Sequence, residues 1–201
     1  MTTPKARKPW PFLAVMLVWL VLAAAAGESG AVAALHPPLP QLLIVALTAA
    51  LIVAGVAHKG LHEWVTQVSL RAVVAFHLTR FVGFLFLALY KRGALPREFA
   101  VPAGWGDIAV ATLALTIVIF LPRPQSQPRL LMVWNALGFA DIVGVVLTAA
   151  RLAIANPTSM KALMGPPLSV VPLFIVPLVI ASHVLVFWRL RIQSAPPRPP
   201  S

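Results

Sequence analysis

Ionisable and amide side chains interrupt the apolar stretches of this sequence at a few positions far from the ends of those stretches. The positions are His77, Arg80, Asn135, Asp141 and His183. A charge at the centre of a membrane-spanning helix costs about 2.5–3.5 kcal/mol, so such a side chain faces protein or water and has a partner. We predict that Arg80, Asp141, Asn135 and His183 form an intramembrane polar centre, and we assign no catalytic residue.

Arg80 and Asp141 carry opposite charges and are predicted to form an ion pair. With a rise of about 1.5 Å per residue, both lie near the membrane midplane if their helices begin on the same side, near Arg71 and Leu130. On one interpretation the pair only joins two helices, because buried ion pairs often serve packing specificity. On the other, the pair gates or binds an ion or a substrate.

His77 and His183 are predicted to lie at the same depth, roughly 8–9 Å from the cytoplasmic ends of their helices. Two imidazoles that face each other across a helical bundle can ligate the iron of haem b, with Arg80 beside a propionate. A proton relay through the same histidines is a second interpretation. The third is a hydrogen bond that only joins two helices.

No metal site and no soluble-type catalytic motif is predicted. His58 and His62 share a helical face, but Thr66 stands where the second histidine of the H-E-x-x-H zinc motif is required, and Lys59 is adjacent. The chain has no cysteine, which excludes disulfides, thiolate ligands and cysteine nucleophiles. An enzyme that acts on a lipid or a quinone stays open, since such a site needs few charged residues.

Asp107 follows the sequence Pro-Ala-Gly-Trp-Gly at residues 102–106. We predict that this run precedes the fourth apolar helix and that Asp107 caps its N-terminus. There a carboxylate accepts backbone N–H bonds and complements the helix dipole.

The composition identifies the elements that must position these residues. Of 201 residues, 60% are hydrophobic and 10% are charged, whereas a soluble domain is about 45–50% apolar and about 25% charged. We predict an all-α polytopic membrane bundle of six helices, each about 20 residues long, with ends marked by proline-rich turns. The predicted spans are 10–26, 39–57, 70–90, 106–121, 130–153 and 168–190.

Three regions are predicted along the chain. Residues 1–9 form a basic cytoplasmic tail, residues 10–191 the membrane-embedded bundle, and residues 192–201 a disordered proline-rich cytoplasmic tail. Residues 58–69 are more polar and are predicted to form an interfacial helix. The first span has one alternative interpretation, a cleaved signal peptide, because small residues follow its apolar run at positions 23–27.

The basic residues orient the bundle with both termini in the cytoplasm. Ten lie on the inner side: Lys5, Arg7, Lys8, Lys59, Arg71, Arg123, Arg129, Arg189, Arg191 and Arg198. Five lie on the outer side: Lys91, Arg92, Arg97, Arg151 and Lys161. Because the net charge of +11 flanks apolar segments, the lipid bilayer is the predicted partner and nucleic acid is not.

Several stretches resemble small uncharacterised multi-pass proteins of the bacterial inner membrane. They are residues 80–90, Pro96, Phe99, residues 102–107, residues 134–141 and residues 172–177. The resemblance covers the last four helices and brings no activity with it. It implies a location in the bacterial cytoplasmic (inner) membrane, and a core bundle of helices three to six to which the first two are added as a hairpin.

Three functions are compatible with this sequence. The first is a binding, transport or accessory component that uses the polar centre. The second is a small cytochrome b-like electron carrier with His77 and His183 as haem ligands. The third is a structural subunit that associates with a larger membrane protein or with further copies of itself.

Overall fold

The computed structural model describes residues 10–121 and 123–194, which contain helices and turns and no strand. Six helices in this part of the chain are long and apolar enough to cross a membrane. They are α1 (Trp10–Glu28), α2 (Leu39–Ala57), α4 (Leu70–Lys91), α5 (Arg97–Phe120), α6 (Pro128–Ala155) and α7 (Val176–Ser194). The short helix α3 (Lys59–Gln67) forms within the segment predicted to be interfacial.

Each of the six helices overlaps one predicted span, with the largest differences at the start of the fourth and of the sixth. The fourth helix begins at Arg97 and not at residue 106. Pro102 lies inside this helix and does not end it, because the proline removes only one backbone hydrogen bond. The predicted tail 192–201 begins too early, since α7 continues to Ser194. The predicted basic tail 1–9 and residues 195–201 lie outside the described residues.

Helix α4 changes its geometry at the position of the candidate site. It is α-helical over Leu70–Phe76, a 3₁₀ helix over His77–Val82, and α-helical again over Gly83–Lys91. A 3₁₀ helix has three residues per turn, so side chains three positions apart are eclipsed. His77 and Arg80 therefore project from the same side of α4.

A π-helical turn over Val171–Ile175 precedes α7. Pro172 lies within this turn, and Pro177 lies in the first turn of α7. Each proline removes a backbone donor, and such irregular turns occur in spanning helices where neighbouring groups satisfy the freed carbonyls. The backbone irregularity at these prolines takes the form of this π turn.

Two glycines bring α4 and α5 into close contact. A Cβ atom on Gly104 would lie 2.8 Å from Leu87 and 3.0 Å from the carbonyl oxygen of Gly83. A Cβ atom on Gly83 would meet the Gly104 carbonyl oxygen and lie 3.0 Å from the Cβ of Asp107. Small residues allow this approach of two backbones, and the approach places Asp107 beside α4.

Beyond α4 and α5, each further helix packs against the next one. Helix α6 packs between α5 and α7, and α2 packs against α7. Helix α2 was predicted as part of a hairpin added to the core bundle, and it packs against the last helix of that bundle. Helix α1 contacts the segment around the π turn, where the Ser169 hydroxyl donates to the Ala23 carbonyl at 3.2 Å.

Two apolar clusters of the bundle lie on either side of a polar layer. One cluster contains Phe86, Phe99, Ile142, Leu163 and Val179. The other contains Leu70, Val74, Leu131, Val186 and Leu190. Between them lie the buried polar side chains His77, Arg80, Asp107, Asn135 and His183. These five side chains thus share one layer of the bundle.

Candidate functional site

The guanidinium of Arg80 binds groups from two neighbouring helices. Its Nε donates to Asp107 Oδ1 on α5 at 2.6 Å, and its Nη1 donates to the Gly138 carbonyl on α6 at 2.9 Å. Its Nη2 binds Asp141 Oδ2, also on α6. The planar arginine fork suits this arrangement, since it offers several donors in fixed directions.

The contact between Arg80 and Asp141 that the depth argument predicted is present. Helix α4 packs closely on α5, and the long Arg80 side chain reaches α6 from there. The prediction that Asp107 caps a helix N-terminus is wrong. The helix begins ten residues earlier, at Arg97, so Asp107 lies in its interior and binds Arg80.

A glycine makes room for the second carboxylate. Gly106 on α5 faces Asp141, and a Cβ atom at this position would meet Asp141 Oδ1 and lie 2.8 Å from Asp141 Cγ. The Asp141 carboxylate therefore occupies the space that a side chain at residue 106 would fill. Glycine at this position lets α6 deliver its carboxylate to Arg80.

One positive charge faces two carboxylates in this centre. The side chains of Arg80, Asp107 and Asp141 are 2%, 4% and 23% exposed, respectively. When both carboxylates are ionised, the three groups together carry one excess negative charge. We call Arg80, Asp107 and Asp141 the charged centre.

A pair of histidines lies next to the charged centre. The rings of His77 on α4 and His183 on α7 are fully buried, with centroids 4.3 Å apart and planes at 49°. The Ser182 hydroxyl donates to the Val179 carbonyl at 2.7 Å, so its oxygen accepts from His77 Nε2 at 3.1 Å. This bond requires the proton of a neutral His77 ring to be on Nε2.

Hydrogen bonds from Asn135 determine which ring nitrogen of His183 carries the proton. The Asn135 amide nitrogen donates to the His183 carbonyl at 3.0 Å, and its Oδ1 accepts from His183 Nδ1 at 2.8 Å. The neutral His183 ring therefore carries its proton on Nδ1. His77 Nδ1 and His183 Nε2 are buried and have no hydrogen-bond partner among the described residues.

The two rings do not fit the axial positions of a haem. Metal–imidazole bonds are about 2.0–2.1 Å long, so two imidazoles on opposite faces of one iron have centroids about 6 Å apart. The centroids of His77 and His183 are 4.3 Å apart, and the rings are in contact with each other. Trp134 adds an edge contact to His77, with centroids 4.9 Å apart.

Gly138 connects the charged centre with the histidine pair. Its carbonyl accepts the hydrogen bond from Arg80, and a Cβ atom on it would lie 2.7 Å from His183 Cε1. The missing side chain leaves the space that the His183 ring fills. A displacement of α6 at Gly138 would therefore alter both groups together.

A cavity of about 70 Å³ borders the charged centre. Its walls are mostly apolar and come from α2, α4, α5, α6, the π turn with the start of α7, and residues 160–164. The polar side chains on the walls are Gln41, Arg80 and Asp107. The buried Oε1 of Gln41 has no hydrogen-bond partner among the described residues.

The other histidines singled out in the sequence have structural contacts. His58 caps α3, with its Nδ1 accepting from the Leu61 N–H at 3.1 Å. His62 Nδ1 lies 3.1 Å from the Gly55 carbonyl oxygen. Within residues 10–121 and 123–194, no three His, Asp or Glu side chains come together as a metal site requires.

One family matches most of the chain. It is described as a domain of unknown function (DUF8737), and the match covers residues 37–191. The chain belongs to this family. The matched region contains the charged centre, the histidine pair and Gln41, and α1 lies outside it. No curated protein and no solved structure gave a significant match.

The space at Gly106 generates a prediction about the charged centre. Gly106→Ala will displace the Asp141 carboxylate from Arg80 and destabilise the protein by about 1–3 kcal/mol, as overpacking does. Thermal unfolding in detergent measures this loss. The matched control is Gly144→Ala on α6, where a Cβ atom meets nothing within 4 Å. An equal melting temperature for the two variants would contradict the assigned contact.

Proposed function

We propose that this chain is a multi-pass protein of the bacterial cytoplasmic membrane, which it spans six times with both termini on the cytoplasmic side. The six long apolar helices support the number of spans. The excess of basic residues on one side supports the orientation. Two contacts support the placement of these helix ends on one common side: Phe12 stacks on Trp64 at 5.8 Å, and Arg189 binds the Val68 carbonyl.

The absence of cysteine makes this topology directly testable. We expect Ala94→Cys, in an exposed turn on the outer side, to react with a membrane-impermeant maleimide on intact cells. Gln125→Cys, exposed on the inner side, is expected to react only after permeabilisation. The unmodified chain provides the unlabelled control. The reverse labelling pattern would contradict the orientation, and labelling of both sites from one side would contradict the number of spans.

We further propose that the protein is a binding or transport component whose charged centre takes up one proton or one positively charged ligand. The observation that carries this proposal is one arginine bound to two carboxylates in a buried layer. An excess negative charge in apolar surroundings is costly, and a proton or a cation removes it. The arginine stays charged, so exchange takes place at the carboxylates.

The groups around the centre agree with an exchangeable site. The other titratable side chains packed beside it are His77 on α4 and His183 on α7, and each has one unpartnered nitrogen. Asp141 is 23% exposed, so it is the less enclosed of the two carboxylates. A centre that served packing alone would need one carboxylate for its arginine, whereas this arginine has two.

Infrared spectroscopy of the purified protein tests proton uptake. We expect the C=O stretch of a protonated buried carboxyl group in the wild-type protein at neutral pH. We expect it to be absent in Asp107→Asn and in Asp141→Asn, because each variant leaves one carboxylate paired with one guanidinium. The control is Glu98→Gln, which changes an exposed carboxylate at the start of α5.

The possible outcomes separate the proposed function from a structural one. Loss of the band in both aspartate variants and its retention in Glu98→Gln support proton binding at the charged centre. A wild-type spectrum without a protonated carboxyl group at any pH at which the protein stays folded would contradict it. If the centre takes up no cation either, it only joins helices, as expected for a structural subunit of a larger complex.

A further inference from the structure

We propose that the cavity beside the charged centre binds a small hydrophobic ammonium ion that carries at least one N–H donor. The inference rests on the proposed function, because it names the chemical class of the ligand that the charged centre takes up. Three independent features of the cavity agree on this class: its apolar walls, its excess charge and its unpartnered acceptor. Each feature excludes a different kind of ligand.

The apolar walls select a ligand with a hydrocarbon body. Phe86 and Phe99 line the cavity with ring centroids 5.4 Å apart, and Ile142, Val145 and Val179 line it from α6 and α7. Burying apolar area contributes roughly 25 cal/mol per Å². Aromatic rings also attract an ammonium group through their negative faces. An ion with a full hydration shell gains nothing from such walls.

The charged centre selects a positive charge. Arg80 and Asp107 both line the cavity, and with Asp141 they carry one excess negative charge. A cation beside Asp107 compensates that carboxylate, while Arg80 keeps its bond to Asp141. An anionic ligand would add a second negative charge to the same buried layer. A neutral ligand does not compensate that charge.

Gln41 selects a ligand that donates a hydrogen bond. Its buried Oε1 has no partner among the described residues, and its side chain lines the cavity. A buried acceptor without a donor is unfavourable, so a donor inside the cavity is stabilising. An ammonium group with an N–H meets this requirement, and a quaternary ammonium group does not.

The ligand and the proton compete for the same excess charge. When the carboxylates hold a proton, the charged centre is neutral, and a cation that binds there displaces that proton. Binding of one ammonium ion therefore releases one proton from the centre. No other charge is left over, because Arg80 remains charged in both states.

Calorimetric titration with n-hexylammonium tests this proposal. We expect binding to the purified full-length protein, with about one proton released per ligand when buffers of different ionisation enthalpy are compared. We expect at least about tenfold weaker binding of hexanol and of hexyltrimethylammonium, the latter because it cannot donate to Gln41. In Gln41→Leu, hexylammonium affinity falls about tenfold and the preference over hexyltrimethylammonium disappears. The matched control, Gln125→Leu at an exposed loop position, leaves both unchanged.

Each alternative result has a defined meaning. Equal binding of hexanol and hexylammonium would overturn the assignment of a cation, and an unchanged preference in Gln41→Leu would overturn the role of that acceptor. No hexylammonium binding, together with a protonated carboxyl band in the infrared spectrum, would overturn the cavity proposal and leave proton binding in place. Absence of both would overturn the proposed function as well.

Discussion

The bonds of the Arg80 guanidinium constrain the rest of this structure. A buried arginine cannot lose its charge, so it must be compensated and its donors satisfied where no water is available. It obtains one carboxylate from α5 and one carboxylate and one carbonyl from α6. The relative positions of three helices are thereby tied to one side chain. A proton or a ligand that binds at this site therefore has to act on those bonds.

Irregular backbone and missing side chains make these bonds possible. The 3₁₀ stretch of α4 aligns His77 with Arg80, and glycines at the contacts of α4, α5 and α6 make space for carboxylates and a histidine ring. The two apolar clusters enclose the polar layer from either side. The cavity borders this layer, so an apolar ligand in it would reach the charged centre directly. The packing of the helices and the buried charges therefore meet at the polar layer.

The sequence predicts the part of the site that depends on single helices. An arginine, an aspartate and two histidines in apolar segments are conspicuous, and helical rise sufficed to predict the contact of Arg80 with Asp141. Asp107 was misinterpreted, because glycine and proline before it are typical of turns and here serve close helix packing. Gln41 was missed, since its role depends on how α2 packs against α7. Tertiary contacts of this kind leave no local pattern in one sequence.

A charge-neutralisation cycle tests the central claim most directly. Arg80→Gln leaves two buried carboxylates uncompensated, which costs about 3–5 kcal/mol. Thermal unfolding of this variant is compared with that of the triple variant Arg80→Gln, Asp107→Asn, Asp141→Asn, in which no charge of the centre remains. The account predicts that the triple variant melts at a higher temperature than Arg80→Gln alone. A triple variant that melts at a lower temperature, with losses that add, would show that the three charges do not compensate one another.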